Sequence, residues 1–199
     1  HCGPGRLQKG ARLGQEVLEG LHQVGAARAL KHGSVLGDQV LGVVGVAWRV
    51  QLLVGKFTDQ YGSGTVADAI TCLDYARTNG AQIINASWGL DEFSLSLSHA
   101  MAELRAAGIL VVAAAGNSAR DIDLFPRYPA SYDLDNIIAV MATTRQDEPY
   151  GLSNFGATNV DLAAPGAAIY STDSQSDSSY ALDEGTSMAA AYVSGAAAL

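Results

Sequence analysis

Ser187 is the residue best placed for chemistry, because it stands in the sequence GTSMAA at residues 185–190 with a run of small residues behind it. That run predicts a helix that begins close to the serine. The N–H groups at the start of a helix are unpaired and the helix dipole is positive there, so an oxyanion formed beside the hydroxyl is stabilised. The pattern allows nucleophilic catalysis, but taken alone it is more typical of a small residue that begins a packed helix.

Asn117 is a second candidate, because it follows Gly116 directly after an apolar run at residues 109–115. If that run is a strand, the Asn117 side chain lies at its carboxyl end, where its amide can donate a hydrogen bond to an oxyanion. The alternative is an asparagine that only caps a turn. The local sequence alone favours the turn cap.

Two short segments contain glycines that allow a bound chain to approach the backbone closely. An extended peptide adds to such an edge as one more strand. Ordinary turns are the alternative for each segment. The segments consist of Gly62, Ser63 and Gly64, and of Ser87, Trp88 and Gly89.

The elements that position these residues are predicted from residue 42 onward, where short apolar runs alternate with helical patterns. This alternation predicts an α/β fold of three layers, in which helices cover both faces of a mainly parallel sheet. Ligands of such sheets bind beyond the carboxyl ends of the strands. The predicted strands are residues 50–57, 82–86, 109–115, 137–142 and, more weakly, 167–171. The predicted helices are residues 65–79, with Thr65 as N-cap and Gly80 as its left-handed end, a second that includes Leu97 and Leu104, and the one near Ser187.

The composition is that of an acidic globular chain. It has 199 residues, of which 48% are hydrophobic and 16% charged, and its net charge is −8. That charge disfavours nucleic acid or an anionic membrane surface as a partner. The longest apolar run, residues 109–115, is too short to cross a bilayer. We therefore predict no nucleic acid partner and no membrane partner.

Four sequence blocks, taken in order, resemble those of the subtilisin-like serine peptidases, the subtilases. GTSMA at residues 185–189 is similar to the nucleophile motif of that family, and AAAGN at 113–117 to its oxyanion-hole strand. INASWG at 84–89 is similar to the strand that lines the substrate, and GVVGVA at 42–47 to a segment upstream of it. The resemblance extends over residues 42–199 and implies a truncated subtilisin-like fold.

The resemblance implies a serine endopeptidase that works through an acyl-enzyme. Ser187 would attack the scissile carbonyl, and the Asn117 amide would hold the oxyanion together with the Ser187 N–H. A polypeptide substrate would lie as an extended strand between residues 62–64 and 87–89. An apolar pocket that favours uncharged side chains would be walled by Ser87, Trp88 and Gly89, and by Ala114, Ala115 and Gly116.

The catalytic base is where the chain departs from the family pattern. His32, in the triplet HGS, resembles part of the family's HGTH-type motif, and a solvated loop histidine is the alternative. His22 is a weaker candidate, and His99 is predicted to be an exposed helical residue. An α/β-hydrolase would place its histidine after the serine, whereas His99 is the last histidine here. No aspartate precedes His32, because the first one in the chain is Asp38.

Residues 1–41 differ in kind from the rest. They have five basic and three acidic residues, a net charge of +2, which leaves −10 for residues 42–199. They also lack a strand-like run of Val, Ile or aromatic residues. We expect an unmatched segment at 1–41, mistranslated or disordered, and a partial subtilase-like peptidase domain at 42–199. Loss of the triad is the alternative explanation.

Because the triad aspartate is missing and the histidine motif is incomplete, we expect little or no peptidase activity from the chain as written. The alternative function is that of a non-catalytic, subtilase-like pseudoenzyme that binds extended peptides. The resemblance implies no required cofactor and allows a structural calcium ion. Four aspartates could bind such an ion. They lack the spacing of an EF-hand, so a solvated acidic loop is the alternative explanation for them. They are Asp121, Asp123, Asp133 and Asp135. The family implies secretion, although no signal-peptide pattern is present.

Overall fold

The computed structural model describes residues 24–29, 43, 45–59, 61–173, 175–176 and 178–199, the first of these segments by its backbone alone. The described part contains eight strands and three helices. The strands are β1 (Val24–Ala29), β2 (Val50–Gly55), β3 (Ile83–Ala86), β4 (Leu110–Ala114), β5 (Ile137–Thr143), β6 (Leu162–Pro165), β7 (Ile169–Thr172) and β8 (Tyr180–Asp183). The helices are α1 (Val66–Thr78), α2 (Leu95–Ala106) and α3 (Thr186–Ala197).

Six strands form one sheet in the order β2-β1-β3-β4-β5-β6. Strands β3 to β6 pair parallel to one another, and β1 pairs antiparallel to both β2 and β3. All the strands of this sheet except β1 therefore run in one direction, as predicted. Their carboxyl ends share one edge, so the segments that follow β3 and β4 lie next to each other there.

Alternate residues of the central strands pack into two different cores, one on each face of the sheet. Ile84 and Val111 belong to the core that contains the buried residues of α1 and α2. Ile83 and Val112 belong to a smaller core with Ala189 and Ala190 of α3. Because strand side chains alternate between faces, this pattern confirms the three layers. Among the described residues no helix is long and apolar enough to span a membrane.

The helix termini agree with the local sequence signals. Thr65 is the N-cap of α1: its hydroxyl accepts from the Asp68 N–H at 3.1 Å and donates to the Asp68 carboxylate at 2.6 Å. Gly80 follows the helix in the left-handed region, with φ of 74°. In α2, Leu97 and Leu104 are buried as the periodicity predicts, and His99 is exposed.

Strands β1, β6 and β8 were not predicted, and β7 has a different partner from the one expected. Residues 1–41 lack a strand-like run of Val, Ile or aromatic residues, yet β1 lies between β2 and β3 in the main sheet. Its sequence, VGAARA, has one strongly β-prone residue, and its place comes from backbone pairing with β2 and β3. The strand predicted at 167–171 is observed as β7, which pairs with β8 in a separate hairpin instead of joining the main sheet.

Candidate active site

Ser187 lies in the first turn of α3 and is 9% exposed. The helix begins at Gly185, whose φ of 135° is unfavourable for residues with a side chain. A Cβ at this position would lie 2.8 Å from the amide nitrogen of Asn117. Glycine therefore allows both the unusual backbone turn and the close approach of Asn117 to the helix that carries the serine.

Asn117 supplies the helix cap that Gly185 lacks. Its side-chain oxygen accepts from the Thr186 N–H at 2.8 Å and from the Thr186 hydroxyl at 2.9 Å. The same Thr186 oxygen accepts from the Gly116 N–H at 3.0 Å, and Thr186 is fully buried. With its oxygen engaged twice, the Asn117 amide turns its NH₂ group away from Thr186. That group donates to none of the described residues, and Asn117 is exposed.

A polar network ties the end of β3 to the start of α3. The Ser87 hydroxyl donates to the Ser187 carbonyl at 3.2 Å and accepts from the Asn85 amide at 2.8 Å. Asn85 in turn accepts from the Ser194 hydroxyl at 2.9 Å. The Ser187 hydroxyl has only a long contact, 3.4 Å, to the Ser87 carbonyl. The nucleophile candidate is thus fixed in place while its hydroxyl is weakly held.

The two segments predicted to flank a peptide are linked by an aromatic pair. Gly62, Ser63 and Gly64 form an exposed turn, in which Asp59 accepts from the Ser63 N–H at 3.0 Å. A Cβ on Gly64 would lie 2.8 Å from the Phe57 ring. That ring meets Trp88 edge-on with centroids 5.3 Å apart. The structure therefore brings residues 62–64 and 87–89 to the same region.

The pocket walls also come together, but their floor is not apolar. Ser87, Ala114, Ala115 and Gly116 are buried. A Cβ on Gly116 would lie 2.7 Å from Arg127 Cδ, and one on Gly89 would lie 3.0 Å from Arg127 Nε. The Arg127 side chain therefore runs between the two walls. The expectation of an apolar floor was wrong, because a cation from the loop after Asn117 occupies that space.

The model of the subtilase family matches residues 20–199. This chain belongs to the subtilase family. The match begins upstream of residue 42, where the resemblance by motif began. The fold class and the family predicted from sequence are both confirmed.

Known subtilases resemble this chain over most of its length, both in sequence and in structure. Subtilisin-like protease 2 of Plasmodium falciparum is 39% identical over 84% of this chain and 12% of its own length. Subtilisin DY of Bacillus licheniformis is 38% identical over 90% and 62%. The crystal structure of a cold adapted subtilisin-like serine proteinase superposes with a TM-score of 0.64 at 33% identity, over 72% of this chain and 50% of that one. The chain thus spans less than two thirds of these relatives.

The candidate base of this subtilase, His32, lies outside the described residues, as does His22. Ser187 makes no hydrogen bond to a histidine within the described part of the chain, and His99 is exposed on α2. Sequence reasoning missed Thr186 and Asn154. The Asn154 oxygen accepts from the Ser118 N–H at 2.9 Å, which secures the loop after Asn117. Thr186 stands in the GTSMA motif, but its role and that of Asn154 depend on partners distant in sequence, which no local pattern indicates.

Three of the four aspartates considered for calcium bond to protein groups in this subtilase. Asp135 pairs with Arg105 at 2.5 Å, and Asp121 accepts from the Asp123 N–H at 2.9 Å. Asp123 accepts from three successive backbone N–H groups of residues 157–159, at 2.8 to 2.9 Å. No group of three or more His, Cys, Asp or Glu residues is arranged to hold a metal ion in the segments described.

We predict that Asp123 stabilises the fold in a pH-dependent way. Burial raises its pKa, but the N–H groups of Asn159, Thr158 and Ala157 outweigh burial and bring the pKa below its usual value. Because the folded-state pKa is lowered, the stabilisation is present above the unfolded value of about 3.9 and is lost as pH falls through the folded value. Asp123→Asn is expected to be less stable than wild type at pH 7, with the difference shrinking toward pH 3.

Urea unfolding followed by circular dichroism at pH 7, 5 and 3 measures this difference. Asp133→Asn is the matched control, since that exposed carboxylate holds no comparable loop, and its stability should stay close to wild type throughout. An Asp123→Asn deficit of equal size at pH 3 and pH 7 would contradict the proposed role of the carboxylate.

Proposed function

We propose that this chain carries the nucleophile and the oxyanion site of a serine endopeptidase. The observation that carries the proposal is the Asn117 amide, held by two hydrogen bonds from Thr186 beside the first turn that bears Ser187. The Asn117 NH₂ group and the neighbouring Ser187 N–H have no partner among the described residues, so the two donors are suited to bind a developing negative charge.

In the proposed reaction the Ser187 oxygen attacks the carbonyl carbon of a peptide bond. The carbonyl oxygen becomes an oxyanion that accepts hydrogen bonds from the Asn117 NH₂ group and the Ser187 N–H. A histidine takes the serine proton and gives it to the leaving amine, and we propose His32 for this role. Water then repeats the attack on the acyl-enzyme and releases the second product.

We propose a polypeptide substrate that lies as an extended strand between residues 62–64 and 87–89. Residues 62–64 are exposed, Trp88 and Gly89 are half-buried, and the Phe57–Trp88 pair connects the two segments at the base. Backbone hydrogen bonds to such edges give affinity, and side-chain pockets give specificity. Secretion is part of this proposal, because the family resemblance implies a secreted peptidase.

We further propose that the 199-residue chain is a slow catalyst. This proposal concerns the 199-residue polypeptide alone: within it no aspartate precedes His32, and an imidazole without an orienting carboxylate loses about 10,000-fold in rate. The weakly held Ser187 hydroxyl, with only a 3.4 Å contact to the Ser87 carbonyl, favours one second candidate, a pseudoenzyme that binds extended peptides without cleaving them. The two candidates differ in whether Ser187 ever becomes acylated.

An activated acyl donor separates these candidates. A tetra-alanine p-nitrophenyl ester has a leaving group that needs no protonation, so acylation does not require a general acid. Intact-mass and peptide-mapping measurements at pH 9 should find one acyl group on Ser187. Ser187→Ala should remain unmodified, whereas Ser118→Ala, an exposed serine beside Asn117, should react like wild type. Failure of wild type to form the adduct would overturn the peptidase proposal and favour the pseudoenzyme.

A further inference from the structure

Arg127 lies between the two walls predicted for the main side-chain pocket. The walls lack side chains where they face it, at Gly89 and Gly116, and the arginine packs against both. Its backbone N–H donates to the Ser131 hydroxyl at 3.0 Å, which fixes the start of the side chain. The arginine thus occupies space that a bulky apolar substrate side chain would need.

The guanidinium is held at both ends of its fork. Nη1 donates to the Asp91 carboxylate at 2.5 Å, and Nη2 donates to the Gly89 carbonyl at 3.0 Å. The Arg127 side chain is 29% exposed, whereas the Asp91 side chain is 65% exposed. The cation is therefore anchored to the wall, while its carboxylate partner is largely in solvent and can be exchanged for another carboxylate.

A cavity of about 230 Å³ adjoins this cation and lies beside the oxyanion residue, since Ser118 lines it. Arg120 and Asp91 line it as well, with Arg120 Nη1 3.9 Å from the second Asp91 oxygen. Two guanidinium groups thus share one carboxylate, which leaves an excess positive charge. Guanidinium groups bind carboxylates in a planar, two-point geometry and recognise them more strongly than neutral groups.

We propose that Arg127 determines the specificity of this site, which takes an acidic side chain at the substrate residue before the scissile bond and rejects bulky apolar and basic ones. The substrate carboxylate would replace or share the place of Asp91 on the guanidinium fork. This inference rests on the proposed function, because it assigns the occupant of the peptidase pocket. It departs from the uncharged preference that the family resemblance implied.

Product-like peptides test the inference without requiring turnover. We would measure binding of acetyl-Ala-Ala-Ala-Glu, acetyl-Ala-Ala-Ala-Phe and acetyl-Ala-Ala-Ala-Lys to the 199-residue chain by NMR titration. Wild type should bind the glutamate peptide at least ~10-fold more tightly than the other two, as expected for a hydrogen bond to a charged group. Arg127→Ala should remove this preference and bind the phenylalanine peptide more tightly than wild type does.

Two further variants make the test specific. Asp91→Asn should strengthen binding of the glutamate peptide several-fold, because it removes the competing carboxylate; it also keeps the test valid if Arg127→Ala fails to fold. Arg105→Ala, which removes an exposed arginine paired with Asp135, should leave all affinities unchanged. A wild-type preference for phenylalanine, or an unchanged ratio in the Arg127 and Asp91 variants, would overturn the inference alone. Binding of none of the peptides would overturn the proposed function with it.

Discussion

Replacing Asn117 with leucine is expected to lower the rate at which Ser187 is acylated by roughly 100- to 1,000-fold, the magnitude known for the oxyanion-hole asparagine of subtilisin. Leucine has a similar size but no donor, so the proposed oxyanion would lose one of its two hydrogen bonds. Thr186 also loses the acceptor of its N–H and hydroxyl. The tetra-alanine p-nitrophenyl ester measures the change as the rate of adduct formation on Ser187.

Asn79→Leu is the matched control for this experiment. Asn79 is an exposed asparagine at the end of α1, where its amide donates to a backbone carbonyl. Its replacement should leave the acylation rate unchanged. That result would show that the loss of an asparagine amide at another site has no effect on acylation. Equal rates for wild type and Asn117→Leu would contradict the assignment of Asn117 as the oxyanion donor.

Gly116→Ala is expected to destabilise the protein by roughly 2–4 kcal/mol, the sum of backbone strain and overpacking. Gly116 has φ of 104°, and an added Cβ would overlap the amide nitrogen of Asn154 and crowd Arg127. Both neighbours are held by hydrogen bonds, so they cannot move aside freely. Urea unfolding of the purified variant gives the free energy of unfolding directly.

Two other glycines separate the causes of this loss. Gly108 has φ of 70° but nothing within 4 Å of an added Cβ, so Gly108→Ala should cost only backbone strain, about 1 kcal/mol. Gly151 has neither a positive φ nor a neighbour, so Gly151→Ala should be close to neutral. The order Gly116, Gly108, Gly151 is the expected result. A Gly116→Ala protein as stable as the Gly108→Ala protein would show that the pocket wall tolerates a side chain.

Local interactions explain which parts of the fold were predictable from sequence. The α1 cap depends on Thr65 and Asp68, three residues apart, and Gly80 ends that helix through its own backbone freedom. Strand β4 was predictable because a continuous apolar run is buried on both faces. In contrast, β1 has a weak strand sequence and is placed by its two neighbours in the sheet.

Some residues of the candidate site could likewise be predicted from sequence, and others could not. Ser187 and Asn117 were identified because each stands in a short motif at the end of a predictable element. Arg127 was not, since its position between Gly89 and Gly116 depends on how the loop after Asn117 folds back across the sheet edge. Thr186 was visible in the motif, but its hydrogen bonds to Gly116 and Asn117 join residues about 70 positions apart. Such contacts require the assembled fold.

We propose that this chain positions Ser187 for nucleophilic attack but does not fully orient its catalytic base. The rate at which a fluorophosphonate probe labels Ser187 tests this proposal most directly. Side by side with subtilisin DY, we predict labelling about 10,000-fold slower, mapped to Ser187 alone and absent from Ser187→Ala. A labelling rate within ~10-fold of that of subtilisin DY would contradict the predicted lack of an orienting carboxylate, because it is far above the rate expected without one. Labelling that persists in Ser187→Ala would contradict the assignment of the nucleophile.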